Sequence, residues 1–170
     1  MNKIALVVAM LIIAPALSAR QNVIESVFQK YSGTAGITNL QICSGMLRML
    51  ANMDAGNEEL KNMAASVNSV LILHAPKKLV ESEGLNFYNE IVPDLPVQDY
   101  NELMRVDNSG QQVLILADES GGIIRELILI VGGSTDNTLI SIKGNMDMEH
   151  LSSLSGISAP GMDHFFRLQK

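Results

Sequence analysis

From Ile123 to Val131 almost every side chain is β-branched or leucine, and Arg125 and Glu126 are the only charges. Alternation sets Ile124, Glu126, Ile128 and Ile130 on one face and Ile123, Arg125, Leu127, Leu129 and Val131 on the other. Past Glu126 both faces are apolar, which predicts a central strand covered on both sides. Gly132, Gly133, Ser134, Asp136 and Asn137 carry the backbone freedom and side-chain acceptors of a turn. Beyond it, Thr138, Ile140 and Ile142 alternate with Leu139, Ser141 and Lys143, a half-exposed strand nearer an edge. Gly121–Gly144 therefore predicts a β-hairpin around which the rest of the chain is arranged.

Upstream the period changes from two to about three and a half. Asn22 with Glu25 has the form of a capping box, followed by an apolar stripe of Val23, Ile24, Val27, Phe28 and Tyr31. Gly33 and Gly36 end that helix, and Ile37–Ile42 alternates as a strand with one polar face. Ser44 predicts the cap of a second helix whose buried stripe is Met46, Leu47, Leu50 and Met53. Asn57 predicts the cap of a third, carrying Leu60, Met63, Ala64 and Val67, with Glu58 and Glu59 favourably placed in its first turn. Val70–Leu73 is a short buried strand. Pro76 then opens a helix bearing Leu79, Val80, Phe87 and Ile91, weakened by Gly84. Pro93–Pro96 is a connector too short and too apolar to separate two cores.

The second half reads as strands. Tyr100–Met104 predicts a short helical turn feeding a strand at Met104–Asp107. Turns at Asn108–Gly110 and Glu119–Gly122 bracket a strand at Gln112–Ala117. With the hairpin this makes an antiparallel meander. Gly144-Asn145 ends the last strand, Met148–Leu154 predicts a short helix, and residues 155–170 a flexible tail. The fold class is α+β: a meander sheet from the C-terminal half, with helices from the N-terminal half packed on it. Ile37–Ile42 and Val70–Leu73 are expected in the same sheet, in an order the pattern does not fix.

The N-terminus stands apart from this pattern. Lys3, the uncharged run Ile4–Ala14 and the small residues around Ala16–Ser18 have the order of a cleaved export signal, with cleavage after Ser18 or Ala19. The run is short for a membrane span, and no cysteine stands at the cleavage point to carry a lipid anchor. The expected division is a signal peptide at 1–19, one domain at 20–154 and a tail at 155–170. Losing Lys3 takes the formal charge from −6 to −7, an acidity that argues against nucleic acid or an anionic membrane as partner. Cys43 is the single cysteine and tryptophan is absent, so stability rests on packing without an internal disulfide.

Candidate chemistry is sparse. A nucleophilic Cys43 needs a nearby base, for which His74, His150 and His164 are the candidates. No protease signature surrounds it, and a buried, structural cysteine is the expectation. Met146, Met148 and His150 alternate, and Met162 and His164 repeat the pairing; thioether and imidazole are ligands for Cu(I), although methionine also fills cores. Glu58-Glu59, Glu81 with Glu83, and Asp118-Glu119 read as solvated charges. Arg125-Glu126 reads as strand-end charges matched by neighbours, or as a polar spot completed by Lys143 across the hairpin. No phosphate loop, HExxH, GxSxG or zinc spacing occurs.

Phe28–Tyr31 with Ile37 and Ile42, Tyr100–Met104, Ile124–Ile130 and Ile140–Asp147 together resemble a family of exported domains of unknown function found mainly in Bacteroidetes. The resemblance spans most of the chain beyond residue 19 and implies export and this fold. It brings no catalytic residues with it, and the lipoprotein cysteine of some members is missing here. Three function classes follow. The first is a non-catalytic envelope protein binding a protein or small ligand, without cofactor or membrane span. The second is a hydrolase-type enzyme with scattered catalytic residues. The third is a periplasmic copper binder using the Met/His pairs.

Overall fold

Ile123–Gly133 is a strand (β5), and from Glu126 to Gly132 every residue along it is buried. A computed structural model of the chain describes residues 23–54 and 56–147. Ahead of β5 come Val23–Lys30 (α1), Thr38–Cys43 (β1), Ser44–Met53 (α2), Glu58–Ser66 (α3) and Val67–Ala75 (β2). Then follow Lys77–Glu83 (α4), Phe87–Ile91 (α5), Asn101–Asn108 (β3) and Gln111–Ser120 (β4), and after β5 comes Asn137–Asp147 (β6). All six strands form one antiparallel sheet in the order β1-β2-β6-β5-β4-β3. The α+β class, the meander β3-β4-β5-β6 and the membership of β1 and β2 agree with the sequence.

The sheet is sandwiched between two helical layers. Leu47 and Ala51 of α2 and Ala64 of α3 share one core with Ile72, Ile115, Leu129 and Ile140. On the other face Ile24 and Val27 of α1, Tyr31 just after it, Val80 of α4, and Phe87 and Ile91 of α5 pack with Leu73, Leu116, Ile128 and Leu139. Tyr31 and Phe87 meet with ring centroids 5.3 Å apart, a contact favourable beyond its area. Neither layer covers the sheet without the chain crossing it: after β2, α4 and α5 carry the chain under the sheet, and the chain enters β3 at the far edge.

Several expectations are corrected. β6 is central, between β2 and β5, and Thr138–Ile142 is wholly buried. Its polar positions are inside because each has a partner: Thr138 Oγ1 bonds His74 Nδ1 at 3.1 Å, and Ser141 Oγ donates to Glu126 at 2.8 Å. β6 also runs through Gly144-Asn145 to Asp147; Gly144 is a close approach, since a Cβ there would collide with the backbone of Ser66 and Val67. Asn101–Asn108 is strand throughout, with no helical turn at Tyr100–Met104.

Gly132 and Gly133 belong to β5, paired with Gln112 and Gln111, and the turn is residues 134–136. Gly132 lacks a side chain because Asn86 and Tyr88 of α5 lie against it. The expected helix after Pro76 is two helices, separated at Gly84 in the left-handed region (φ 65°). Ser66 ends α3, so Val67 is strand, and β2 is longer than Val70–Leu73. Asn57 does cap α3, accepting from the Leu60 amide at 3.0 Å. The Asn22 half of the first capping box, the Met148–Leu154 helix, the tail and the signal segment lie outside the described residues.

Asn137 fastens the layers together. It is fully buried; its Oδ1 accepts from the Phe87 amide at 2.8 Å, and its Nδ2 donates to the carbonyls of Gly133 and Thr135. Asp136 next to it accepts from the Lys77 amide at 2.6 Å, satisfying the first turn of α4. The turn is thus a bracket for two helices.

Ile128→Ala removes a fully buried side chain and is expected to cost about 2–5 kcal/mol. Ile142→Ala, in the neighbouring and equally central β6, is expected to fall in the same range of about 2–5 kcal/mol. Denaturation midpoints check both; an Ile142→Ala midpoint close to wild type would mean that β6 is not enclosed.

Candidate functional site

Two places concentrate chemistry: a buried carboxylate at one end of the central strands, and the surface of β1 and α2, which carries Cys43 and Arg48.

The first is built on a line of irregularities. Strand register shifts between Val67 and Ser69 in β2, between Asp118 and Glu119 in β4, and between Ile124 and Glu126 in β5. Arg125 is the extra residue against β4, and this bulge reverses the alternation. Ile124 accordingly packs with Leu127, Leu129 and Val131, not with Ile128 as the uninterrupted pattern predicts. Arg125 turns outward to Asp118 at 2.8 Å, while Glu126 turns in and is 8% exposed.

Glu126 is well partnered. Its Oε1 accepts from Ser141 Oγ at 2.8 Å and its Oε2 from Tyr100 Oη at 3.2 Å. Lys143 Nζ stands 4.0 Å away and reaches Glu25 of α1 at 2.8 Å. Both readings of Arg125-Glu126 thus hold in part: Arg125 is a matched surface charge, and Glu126 with Lys143 is a buried polar spot. Burial, then the Glu126 carboxylate beside it, pushes the Tyr100 hydroxyl well above its ordinary value of 10.0. It therefore remains a donor, and the carboxylate is held by Ser141 of β6 and by Tyr100 in the segment entering β3. Such an arrangement joins the segment entering β3 to β5 and β6.

At the β1 edge, three expectations are overturned together. Cys43 is exposed, not a small core residue. It occupies the N-cap position of α2 in place of Ser44. The amides of Met46 and Gly45, with Arg48 contributing, hold its thiol below the ordinary value. His74 pairs with Thr38 at the other end of β1, whereas Cys43 pairs with Ser69. Five residues of extended chain separate these positions, about 16 Å, so no dyad forms; His150 and His164 lie outside the described residues.

Met46, Met49 and Met53 are 45%, 51% and 78% exposed, although Met46 and Met53 read as core. The buried side of α2 is Leu47 and Ala51. This helix lies over the two outermost strands at that edge, where the sheet offers cover for one narrow stripe only.

Met146 is fully buried in the core, and Met148, His150, Met162 and His164 are outside the described residues. Of the paired carboxylates, Glu58 meets Lys61, Glu81 meets Lys77, and Glu119 accepts from Asn101 and the Gly122 amide, all at the surface. An open cleft between α1 and α4 is lined by Tyr31, Ile37, Leu79 and Leu85, with Lys30 at its rim. No helix among the described residues is long and apolar enough to cross a membrane.

A six-stranded antiparallel sheet between two helical layers, fastened by buried polar groups, defines a small α+β domain. Residues 31–154 match the model of a domain of unknown function, DUF4252, and the chain belongs to that family. No curated protein and no solved structure matches it.

Two measurements follow. The raised Tyr100 means that below about pH 10 its proton is bound in both folded and unfolded chains; above that the unfolded chain releases it first, so stability falls as pH rises. Tyr31, raised by burial and Glu90, and Lys30, raised by Glu90, act in the same direction. Tyr100→Phe is expected to flatten the alkaline decline of the denaturation midpoint, leaving a smaller slope from those two. An unchanged slope would place the Tyr100 hydroxyl in solvent. Secondly, a mild thiol reagent is expected to modify Cys43 in the native protein at neutral pH as fast as in the unfolded chain, followed by mass; strong protection on folding would contradict its exposure.

Proposed function

We propose that this chain is an exported, non-catalytic interaction domain that binds a protein partner through the β1 edge and the exposed face of α2. The observation that carries the reading is the methionine stripe Met46, Met49 and Met53, a row of large apolar side chains left in solvent on α2, the helix that follows the edge strand β1. Methionine is enriched at binding surfaces because its flexible thioether repacks against varied partners. The acid–base groups support the same reading, since Glu126 is occupied by Tyr100 and Ser141, and Lys143 by Glu25 of α1. Export is supported by the order of charge, apolar run and small residues in Met1–Ala19.

A photo-crosslinking residue placed at Met49, with one at Glu81 of α4 as control, tests the binding face in intact cells. The expected outcome is a discrete adduct from position 49 that position 81 does not give; equal or absent adducts overturn the reading. Export is tested on the same material: the mature mass is expected to begin after Ser18 or Ala19, and an intact Met1 ends that proposal.

A further inference from the structure

The two edges of the sheet are not alike. β3 carries Glu102, Arg105 and Asp107 and has a register shift between Glu102 and Met104. Charges and bulges of this kind block strand addition. β1, with the sequence TNLQIC, has no charge and no proline, and its register with β2 is unbroken from Thr38 to Cys43. Among the described residues no strand pairs with its outer side, which leaves a row of backbone donors and acceptors for another strand. From Thr38 through Met53 the only charge is Arg48 and no acidic residue occurs, in a chain whose formal net charge is −6.

We infer that this edge pairs with β1 of a second copy of the same chain, antiparallel about a two-fold axis, with the α2 methionines closing the interface. The inference rests on the interaction-domain reading above and names its partner. Charge selects a second copy. Two acidic chains repel each other, and the β1–α2 stretch, without an acidic residue from Thr38 to Met53, lets them approach without setting carboxylate against carboxylate. A two-fold contact also requires a surface complementary to itself. With the axis at Gln41, Leu40 lies opposite Ile42 of the copy on the α2 side, and Asn39 lies opposite its Cys43 on the other side. Apolar meets apolar and neutral polar meets neutral polar. Leu40 and Ile42 are half-buried against the core of their own chain, so pairing completes their cover. Met46, Met49 and Met53 follow directly from the paired strand and supply apolar area that a six-residue ladder alone lacks.

Sedimentation equilibrium on the protein produced from its full-length coding sequence tests this. At about 100 µM the expected mass is that of two chains. Gln41→Lys, which sets like charges on the axis, and Met49→Glu are each expected to weaken the pair by tenfold or more. Leu103→Glu, on the opposite edge, is expected to leave it unchanged. Hydrogen exchange keeps the question answerable should a variant fold poorly: in the wild-type protein the amides of residues 38–43 are expected to lose protection on dilution, while those of 101–108 do not. A one-chain mass at every concentration, a two-chain mass that survives both substitutions, or dilution-independent exchange at 38–43 overturns the inference. If the Met49 adduct then contains a different protein, the interaction-domain reading stands without it; if no adduct forms either, both fall.

Discussion

A strand that is apolar on both faces cannot lie on the surface of a sheet with one wet side, and the architecture is a response to that constraint in β5. Ile128 and Ile130 need cover on one face, Leu127, Leu129 and Val131 on the other. A four-strand meander supplies neighbours in the plane but nothing above or below it. The N-terminal half supplies both layers, α2 with α3 on one side and α1, α4 and α5 on the other. Pairing β2 with β6 places the two sequence halves side by side in the plane, so β6 becomes interior although it is the last strand of the meander.

Two such layers bring polar groups inside, and those at the centre of the sheet are matched, whereas Asn39 Oδ1 in β1 is buried without a partner. Asn137 satisfies the first amide of α5 and closes its own turn. Glu126 gathers two hydroxyls and stands near an ammonium. A buried carboxylate with this many partners adds little net stability compared with an apolar core, but truncating one partner leaves the others desolvated and unpaired. The result is orientation: α1, through Glu25 and Lys143, is locked to the end of the sheet where the strands are irregular.

Local signals in the sequence announced the elements, and non-local partners decided where they lie. The β5 run, the α1 stripe and the Asn57 cap were legible because period and capping act within one element. The central place of β6 was not: with Thr138 on one face and Ser141 on the other it read as a half-exposed strand nearer an edge, and the partners that permit their burial, His74 and Glu126, belong to other strands. The bulge at Arg125 escaped for a similar reason. A single extra residue leaves composition unchanged but moves Ile124 to the opposite core. Gly132 read as turn because its real cause, the approach of α5, is a contact with a segment some forty residues earlier.

The methionines of α2 and Cys43 show the limit from the other side. An apolar residue at helical spacing is expected inside, yet a helix at the margin of a sheet has only a narrow strip of neighbours to bury against. Leu47 and Ala51 take that strip, and Met46, Met49 and Met53 remain in water. Branched aliphatics in those positions would make a stiffer exposed face; unbranched thioethers make one that adjusts its shape at little cost. The strand beneath has the opposite character, a rigid row of backbone groups fixed by its ladder to β2. Under the proposed pairing, the backbone ladder would set register and direction, and the adaptable side chains would supply fit.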